Sequence, residues 1–307
     1  MEKSGLSDIK KEYMNNTKVS QVISRNEGLI DIGNFDVIVN PQNRLTTIVN
    51  LLHEDQHVRY TGDVTLYDMA IMDAIYTLHK YGHDNFTLQM VMRVMSGNDE
   101  QGMLEEQKER LAYEIEKLRH IDILINCTDE LRARKKIGKN ATVTYESYLL
   151  PLSKVDVRLG NQITVEGYKL LETPALYTYA ELLEQIVDVP VQVFKTHKKL
   201  PDTNEAIVMK RYLTKRIALM KNKKNKMVSR KISYQWYDQK TQTEKGLYAV
   251  LGYKSEDYAS KSSWSNKKKK IHDAVCKILD TLVEEKYIAG YHEVKENRSI
   301  VGVEIVL

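Results

Sequence analysis

Apolar residues first recur at helical spacing just after residue 65. Thr65 is typical of a helix N-cap, and Asp68 stands where the second member of a capping box is found. The predicted helix ends at Gly82, and its apolar stripe consists of Leu66, Met69, Ala70, Ala74, Ile75 and Leu78. A second short helix is predicted from Thr87 to Gly97. A third follows Asn98, with a stripe formed by Leu104, Leu111, Ile115 and Leu118.

The pattern then changes to that of two β-strands, at residues 121–127 and 141–152. The loop between them is rich in positive charge and contains Arg132, Arg134, Lys135, Lys136 and Lys139. Three helices followed by a hairpin with a basic tip is the order of a winged helix, whose third helix faces DNA. We therefore predict a first winged-helix domain over residues 61–195, with these five side chains on its wing. Residues 1–60 hold only short apolar runs and are predicted to be an irregular arm.

The same order of elements recurs in residues 196–307. A helix begins near Asn204, a strand covers residues 231–236, and a short helix covers 246–251. Ser265 is then predicted to cap a long amphipathic helix, whose apolar face consists of Ile271, Val275, Ile278, Leu279, Leu282 and Val283. A hairpin follows, with strands at 287–294 and 299–306. The sequence thus predicts an α+β fold with two tandem winged-helix domains.

Charge is divided unevenly between the two halves of the chain. The net charge is only +4, but residues 191–307 hold 25 Lys and Arg against 13 Asp and Glu, whereas residues 1–190 hold 21 against 29. The densest basic stretch, residues 195–231, includes Lys223, Lys224, Lys226 and Arg230. Such asymmetry indicates that the C-terminal half meets a polyanion.

Four consecutive lysines, Lys267, Lys268, Lys269 and Lys270, fall in the first turn of the helix that Ser265 is predicted to cap. Cations are unfavourable at this end of a helix, so their placement favours a partner that carries phosphates. We predict that they contact double-stranded DNA. Further DNA contacts are predicted for His272, Lys277, Lys295 and Arg298, for the five basic residues of the first wing, and for Lys223, Lys224, Lys226 and Arg230. The third helix of the first domain is acidic, which favours protein contact and dimerisation there.

The order of modules resembles that of plasmid replication initiators built from two tandem winged-helix domains. Val64–Asp68 and the apolar helix after it are similar to the opening of that family's first domain, and the helix from Lys267 to Glu285 with its hairpin is similar to the reading helix and wing of the second. The resemblance implies binding to repeated origin sequences (iterons) as a monomer. The second domain would read one end of the repeat, and the first would contact the other end or mediate an inactive homodimer. Host replication proteins are expected partners. The chain departs from the family in the long segment 153–203 and the insertion near 231–243.

Two other functions are compatible with parts of the sequence. His53-Glu54-Asp55-Gln56-His57 matches HExxH, which on a helix would place two imidazoles for zinc and a glutamate as general base. An Asp inside the motif is atypical of zinc peptidases, so zinc hydrolysis is a remote alternative. A transcriptional regulator with winged-helix domains shares the fold and remains an open alternative.

Enzymatic and membrane functions find no support in the sequence. There is no phosphate-binding P-loop motif, and no enzyme activity, cofactor or metal is predicted. No apolar run is long enough to span a membrane, and the N-terminus lacks the apolar core of a signal peptide. The two cysteines, Cys127 and Cys276, are flanked by apolar residues, which is typical of reduced thiols. The expected location is the cytoplasm.

Overall fold

The structure is a computed structural model of the chain. It describes residues 8–24, 35–39, 47–51, 57–60, 64–99, 102–159, 162–196, 199–221, 229–239, 243–297 and 299–307. The chain forms two compact units. The N-terminal unit ends at Asp188, and nearly all of the C-terminal unit comes from Val189–Leu307.

The N-terminal unit contains six helices and ten strands in the described part of the chain, counting strand β10 at its end. The helices are α1 (Lys18–Ile23), α2 (Leu66–Lys80), α3 (Leu88–Ser96), α4 (Glu105–Arg119), α5 (Thr128–Ala133) and α6 (Ala175–Leu182). The strands are β1 (Lys11–Asn15), β2 (Phe35–Val39), β3 (Thr47–Leu51), β4 (His57–Tyr60), β5 (Asn85–Thr87), β6 (Asp122–Asn126), β7 (Thr144–Tyr148), β8 (Leu152–Leu159), β9 (Gln162–Leu170) and β10 (Ile186–Pro190).

Helix α2 is the centre of this unit and begins where the sequence predicts. The Thr65 hydroxyl accepts a hydrogen bond from the Asp68 backbone N–H, and the Asp68 carboxylate accepts one from the Thr65 N–H at 2.7 Å. These two bonds satisfy donors that a helix N-terminus otherwise leaves free. The helix is buried on every side from Tyr67 to Leu78, including the polar residues Asp68, Asp73 and Thr77.

The first wing is not the predicted hairpin. Strands β6 and β7 do pair, but helix α5 joins them and they belong to a five-stranded sheet in the order β2-β3-β4-β6-β7. Strand β5, which precedes α3, instead pairs with the next hairpin, β8-β9, and gives a sheet in the order β5-β9-β8. The prediction that residues 128–140 form the wing tip is therefore wrong. Strand pairing is set by long-range contacts, which the local alternation of residues does not encode.

The irregular arm predicted for residues 1–60 is also wrong in the described segments. Strand β1 pairs with β10 in a two-stranded sheet, and strands β2 to β4 extend the five-stranded sheet beside β6. Met14, Val19 and Ile23 are fully buried. Short strands with few residues each give a weak sequence signal, and their stability comes from the sheet that they join.

The C-terminal unit repeats the winged-helix order. Its helices are α7 (Asn204–Lys221), α8 (Leu247–Val250) and α9 (Lys261–Glu284), and its strands are β11 (Lys231–Ser233), β12 (Trp236–Asp238), β13 (Thr243–Lys245), β14 (Gly290–Glu296) and β15 (Ser299–Val306). The sheet order β11-β15-β14 places the strand before α8 beside the terminal hairpin. Strands β12 and β13 form a separate hairpin between β11 and α8.

A glycine occupies the same place in both three-stranded sheets. In β9, Gly167 lies between Thr87 and Val155, and in β15, Gly302 lies between Ser233 and Val294. A Cβ atom would stand 2.7 Å from the Phe86 carbonyl oxygen at the first site and 2.4 Å from the Ile232 oxygen at the second. The matching register confirms the predicted α+β fold with two winged-helix domains, while the functions assigned to each domain stay predictions.

The close approach at Gly302 makes it sensitive to substitution. Gly302→Ala forces β11 away from β15, and we expect a loss of about 1–3 kcal/mol of unfolding free energy. Gly290→Ala in β14 is the control, because its Cβ atom would meet nothing within 4 Å. Urea unfolding followed by tryptophan fluorescence reports on this unit alone, since both tryptophans of the chain, Trp236 and Trp264, lie in it. Equal stability of the two variants would contradict the close contact.

Candidate nucleic-acid interface

The third helix of the C-terminal winged helix, α9, starts earlier than the sequence predicts. Its N-cap is Ser260, whose hydroxyl accepts a hydrogen bond from the Ser263 N–H at 3.1 Å. The Trp264 ring packs against Tyr248 and Tyr258, with centroids 5.2 and 5.0 Å away, and so holds the additional turn. The prediction that Ser265 is the cap is wrong.

This start moves the four lysines out of the first turn. Lys267 is the seventh helical residue of α9. Since the effect of the helix dipole falls off within the first turn, the predicted electrostatic penalty at Lys267–Lys270 does not apply. A different electrostatic feature replaces it: residues 261–272 contain five lysines and no acid, whereas Asp273, Asp280 and Glu284 follow in the second half. The first half of the helix is thus purely basic, whereas the second half holds one lysine, Lys277, against three acids.

The tertiary structure separates the four lysines into two groups. The Lys267 ammonium lies 3.0 Å from a Glu205 carboxylate oxygen and 4.1 Å from the Tyr253 ring centroid. Burial favours the neutral amine, but hydrogen bonds with Tyr253 and Glu205 outweigh it and raise the pKa of Lys267. The Lys268 ammonium lies 5.8 Å from the Trp264 ring centroid. Both side chains therefore have contacts within their own unit.

Lys269 and Lys270 have a different environment. Both are exposed, and within the described residues the structure gives neither of them a hydrogen bond or an ion pair. Their side chains project from the face of α9 opposite to the buried stripe of Ile271, Val275, Ile278, Leu279 and Leu282. These two ammonium groups are available to an anionic partner.

His272 joins α9 to the sheet instead of facing solvent freely. Its Nδ1 lies 2.8 Å from the Tyr234 hydroxyl, and its Nε2 lies 3.1 Å from a Glu293 carboxylate oxygen. Hydrogen bonds from Lys295 and His272 lower the pKa of Glu293, which therefore stays ionised. Burial raises the pKa of the neighbouring Cys276 thiol, so it is protonated at neutral pH. This cluster fixes the angle between the helix and the second wing.

In the second wing, formed by β14 and β15, lysines near the turn form ion pairs with glutamates. The Lys295 ammonium lies 2.9 Å from Glu293, and Lys231 lies 3.5 Å from Glu296. Arg298 lies outside the described residues. Lys277 is exposed on α9, beyond the lysine cluster. The predicted DNA contacts of Lys277, Lys295 and Arg298 stay predictions.

The basic stretch 195–231 is described only in part. Lys223, Lys224 and Lys226 lie outside the described residues. Arg230 is exposed, and its carbonyl oxygen accepts a hydrogen bond from the Ile305 N–H at 3.0 Å, which extends the pairing of β11 with β15. Its side chain therefore stands at the end of the three-stranded sheet.

Three of the five basic residues predicted for the first wing have structural partners. Arg132 donates to the Ala141 carbonyl oxygen and Arg134 to the Leu183 carbonyl oxygen, both at 2.9 Å, and Lys136 pairs with Glu184 at 2.8 Å. Lys135 has a left-handed backbone conformation (φ 57°), and Lys139 is exposed. These residues lie between β6 and β7, in or just after α5, and not in the hairpin β8-β9, so they are not on the first wing. Their predicted DNA contacts stay predictions.

The third helix of the N-terminal winged helix, α4, presents an acidic face. Glu105, Glu106 and Glu109 are exposed, as are Leu104 and Tyr113, with 71% and 68% of their surface accessible. An acidic face would repel a phosphate backbone. The predicted role of α4 in protein contact stays a prediction.

The sequence interpretation missed three exposed polar residues on α9: Ser262, Ser265 and Asn266. The first lay outside the predicted helix, and the other two were placed at its very start. The signal that could have found them is the pair Ser260 and Ser263, which fits a reciprocal cap as well as Ser265 fits a single one.

Only the last residue of the HExxH motif lies in the described part of the chain. His53, Glu54, Asp55 and Gln56 lie outside the described residues, and His57 opens strand β4. Within the described ranges, no group of three or more His, Cys, Asp or Glu side chains is placed to hold a metal ion. None of the described helices is both long and apolar enough to cross a membrane.

Comparisons with known proteins give only distant similarity. No protein-family model matches the chain, and no curated protein does. Two crystal structures of domains 2 and 3 of RctB are similar to it. The first, of a selenomethionine derivative, is 13% identical and covers 92% of this chain and 96% of that one, with a TM-score of 0.41. The second is 11% identical and covers 93% and 97%, with a TM-score of 0.40. TM-scores this low support no conclusion about the function of this chain.

Proposed function

We propose that this chain is a sequence-specific double-stranded DNA-binding protein whose C-terminal winged helix is the main reader. One observation carries the proposal: the first half of α9 exposes Lys269 and Lys270 without internal partners and holds no acid before Asp273. In a winged helix this helix enters the major groove, where lysine ammonium groups meet phosphates and base edges.

We further propose that the protein initiates replication at repeated origin sites of a plasmid or mobile element. Two unlike winged helices on one chain favour a monomer that reads an extended site. The two modules are not interchangeable, since α9 is basic in its first half whereas α4 exposes three glutamates. The acidic α4 face is suited to a protein partner, either a second copy or a host replication protein. No enzymatic activity and no cofactor form part of the proposal, and its expected location is the cytoplasm.

A transcriptional regulator is the second candidate, since it would use the same reading helix. The arrangement of binding sites separates the two functions. An initiator of the proposed kind binds arrays of directly repeated sites, whereas a dimeric regulator binds a single palindrome whose half-sites mirror its two-fold symmetry.

Selection of bound fragments from duplex DNA, followed by footprinting of the selected sites, tests the proposal. We expect the full chain to select one sequence, and to protect it as direct repeats in its native element. Protection of one isolated palindrome would favour the regulator. Binding that shows no preference among sequences at physiological salt would overturn sequence-specific recognition altogether.

A further inference from the structure

Three exposed side chains occupy the middle and the two sides of the solvent-facing surface of α9. With about 100° between successive residues, Asn266 lies roughly opposite the buried stripe, and Lys269 and Lys270 lie roughly 40–60° to either side of it. All three are exposed. The side chain at the middle of this face would reach deepest into a groove, while the flanking lysines would stand nearer to the phosphates on each side.

No contact within the described part of the chain accounts for an asparagine at position 266. Asn266 is exposed, and no hydrogen bond of the described residues engages its amide. It is not part of the cap, which Ser260 and Ser263 complete six and three residues earlier. Asn is also a weaker helix former than Ala, Lys or Glu, so helix stability does not favour it there.

The chemistry of the asparagine amide specifies what it would read. One planar group carries an acceptor oxygen and a donor nitrogen side by side, which matches the N6 amino group and N7 of adenine in the major groove. Lysine offers only donors, and the single hydroxyl of Ser262 fits several bases equally. Of the side chains on this face, Asn266 is therefore the one whose donor and acceptor pattern selects a base.

We propose that Asn266 is a specificity-determining residue that recognises an adenine in the major groove through a bidentate hydrogen bond. This inference rests on the proposed function, because it requires α9 to lie in the groove. Asp273, about two turns further along the same face, ends the basic region. Base reading is thus assigned to the first half of the helix, with Lys269 and Lys270 holding its position on the backbone.

The test compares Asn266→Ala with the wild-type full chain on a site selected from random duplexes, with each position changed in turn to all four base pairs. We expect the variant to lose its preference at one adenine position only, with a drop of roughly 5- to 100-fold in affinity for the preferred site. Replacing that adenine by 7-deazaadenine, which lacks N7, should weaken wild-type binding by roughly 2- to 10-fold and leave Asn266→Ala unaffected.

Asn85→Ala is the matched control, since Asn85 is also exposed but lies in β5 of the N-terminal unit. It should retain every base preference. Thermal unfolding of both variants establishes that they are folded. If Asn266→Ala keeps all base preferences, the inference is overturned while the proposed function stands. If the wild-type chain itself selects no sequence, both are overturned, so the two failures are distinguishable.

Discussion

Joint replacement of Lys269 and Lys270 by Ala is expected to weaken binding of the selected duplex by about 100-fold or more. Each ammonium that contacts a phosphate contributes a charge-assisted hydrogen bond, and the loss of two such bonds corresponds to a change of this order. The two contacts also release counterions from DNA. The slope of log affinity against log salt concentration should therefore decrease in magnitude by about 1.8, at about 0.9 for each phosphate.

Two further variants make this result specific to the exposed face. Lys199→Ala with Lys286→Ala removes the same charge at the far end of α9, where Lys199 pairs with Glu284, and should leave the slope close to that of the wild type. Lys267→Ala should change the slope less than loss of Lys269 does, because Lys267 is engaged with Glu205 and Tyr253. If loss of Lys199 and Lys286 changed the affinity and the salt slope as much as loss of Lys269 and Lys270, DNA would be attracted by net charge alone. That result would contradict the assignment of α9 as the DNA-contacting helix.

A second large effect is expected at the buried ion pair of the C-terminal unit. The Lys210 ammonium lies 2.6 Å from an Asp202 carboxylate oxygen, and each side chain is only 1% exposed. Lys210 also donates to the Phe194 carbonyl oxygen at 3.0 Å. Asp202→Ala removes the counter-charge and leaves an ammonium in the protein interior, which we expect to lower the unfolding free energy by about 3–5 kcal/mol.

Urea unfolding monitored by tryptophan fluorescence measures this loss as a shift in midpoint at constant slope. Adding Lys210→Met to Asp202→Ala removes the stranded charge and supplies apolar volume, so the double variant should recover most of the stability. A double variant less stable than Asp202→Ala would show that the bond from Lys210 to Phe194 matters more than the charge pair. Neither substitution touches the exposed face of α9.

Local sequence signals predicted the elements that local interactions control. The Thr65 and Asp68 cap of α2 was predicted because both partners lie within one turn. The buried stripe of α9 was predicted because its apolar side chains recur at helical spacing. The start of α9 was predicted wrongly, because Ser260 and Ser265 are both adequate caps. The packing of Trp264 against Tyr248 and Tyr258 selects Ser260.

Elements that depend on distant partners were predicted poorly. Two strand pairs, β6-β7 and β8-β9, follow α4, and polar and apolar residues alternate in both as in the strands of a wing. Only β8-β9 pairs with β5, where Gly167 allows the close approach of Phe86. Strands β1 and β4 pair with β10 and β6, which lie far along the chain, and β2 and β3 were missed because strands of five residues give a weak local signal.

The sequence by itself determined the α+β fold with two winged-helix domains, the basic character of the C-terminal half and the apolar face of its long helix. These follow from periodicity and charge, which are properties of neighbouring residues. Only the tertiary structure decided which hairpin is the first wing and which lysines of α9 are available to DNA. Lys267 and Lys269 are two residues apart in the sequence, yet helix geometry turns one toward Glu205 and Tyr253 and the other toward solvent.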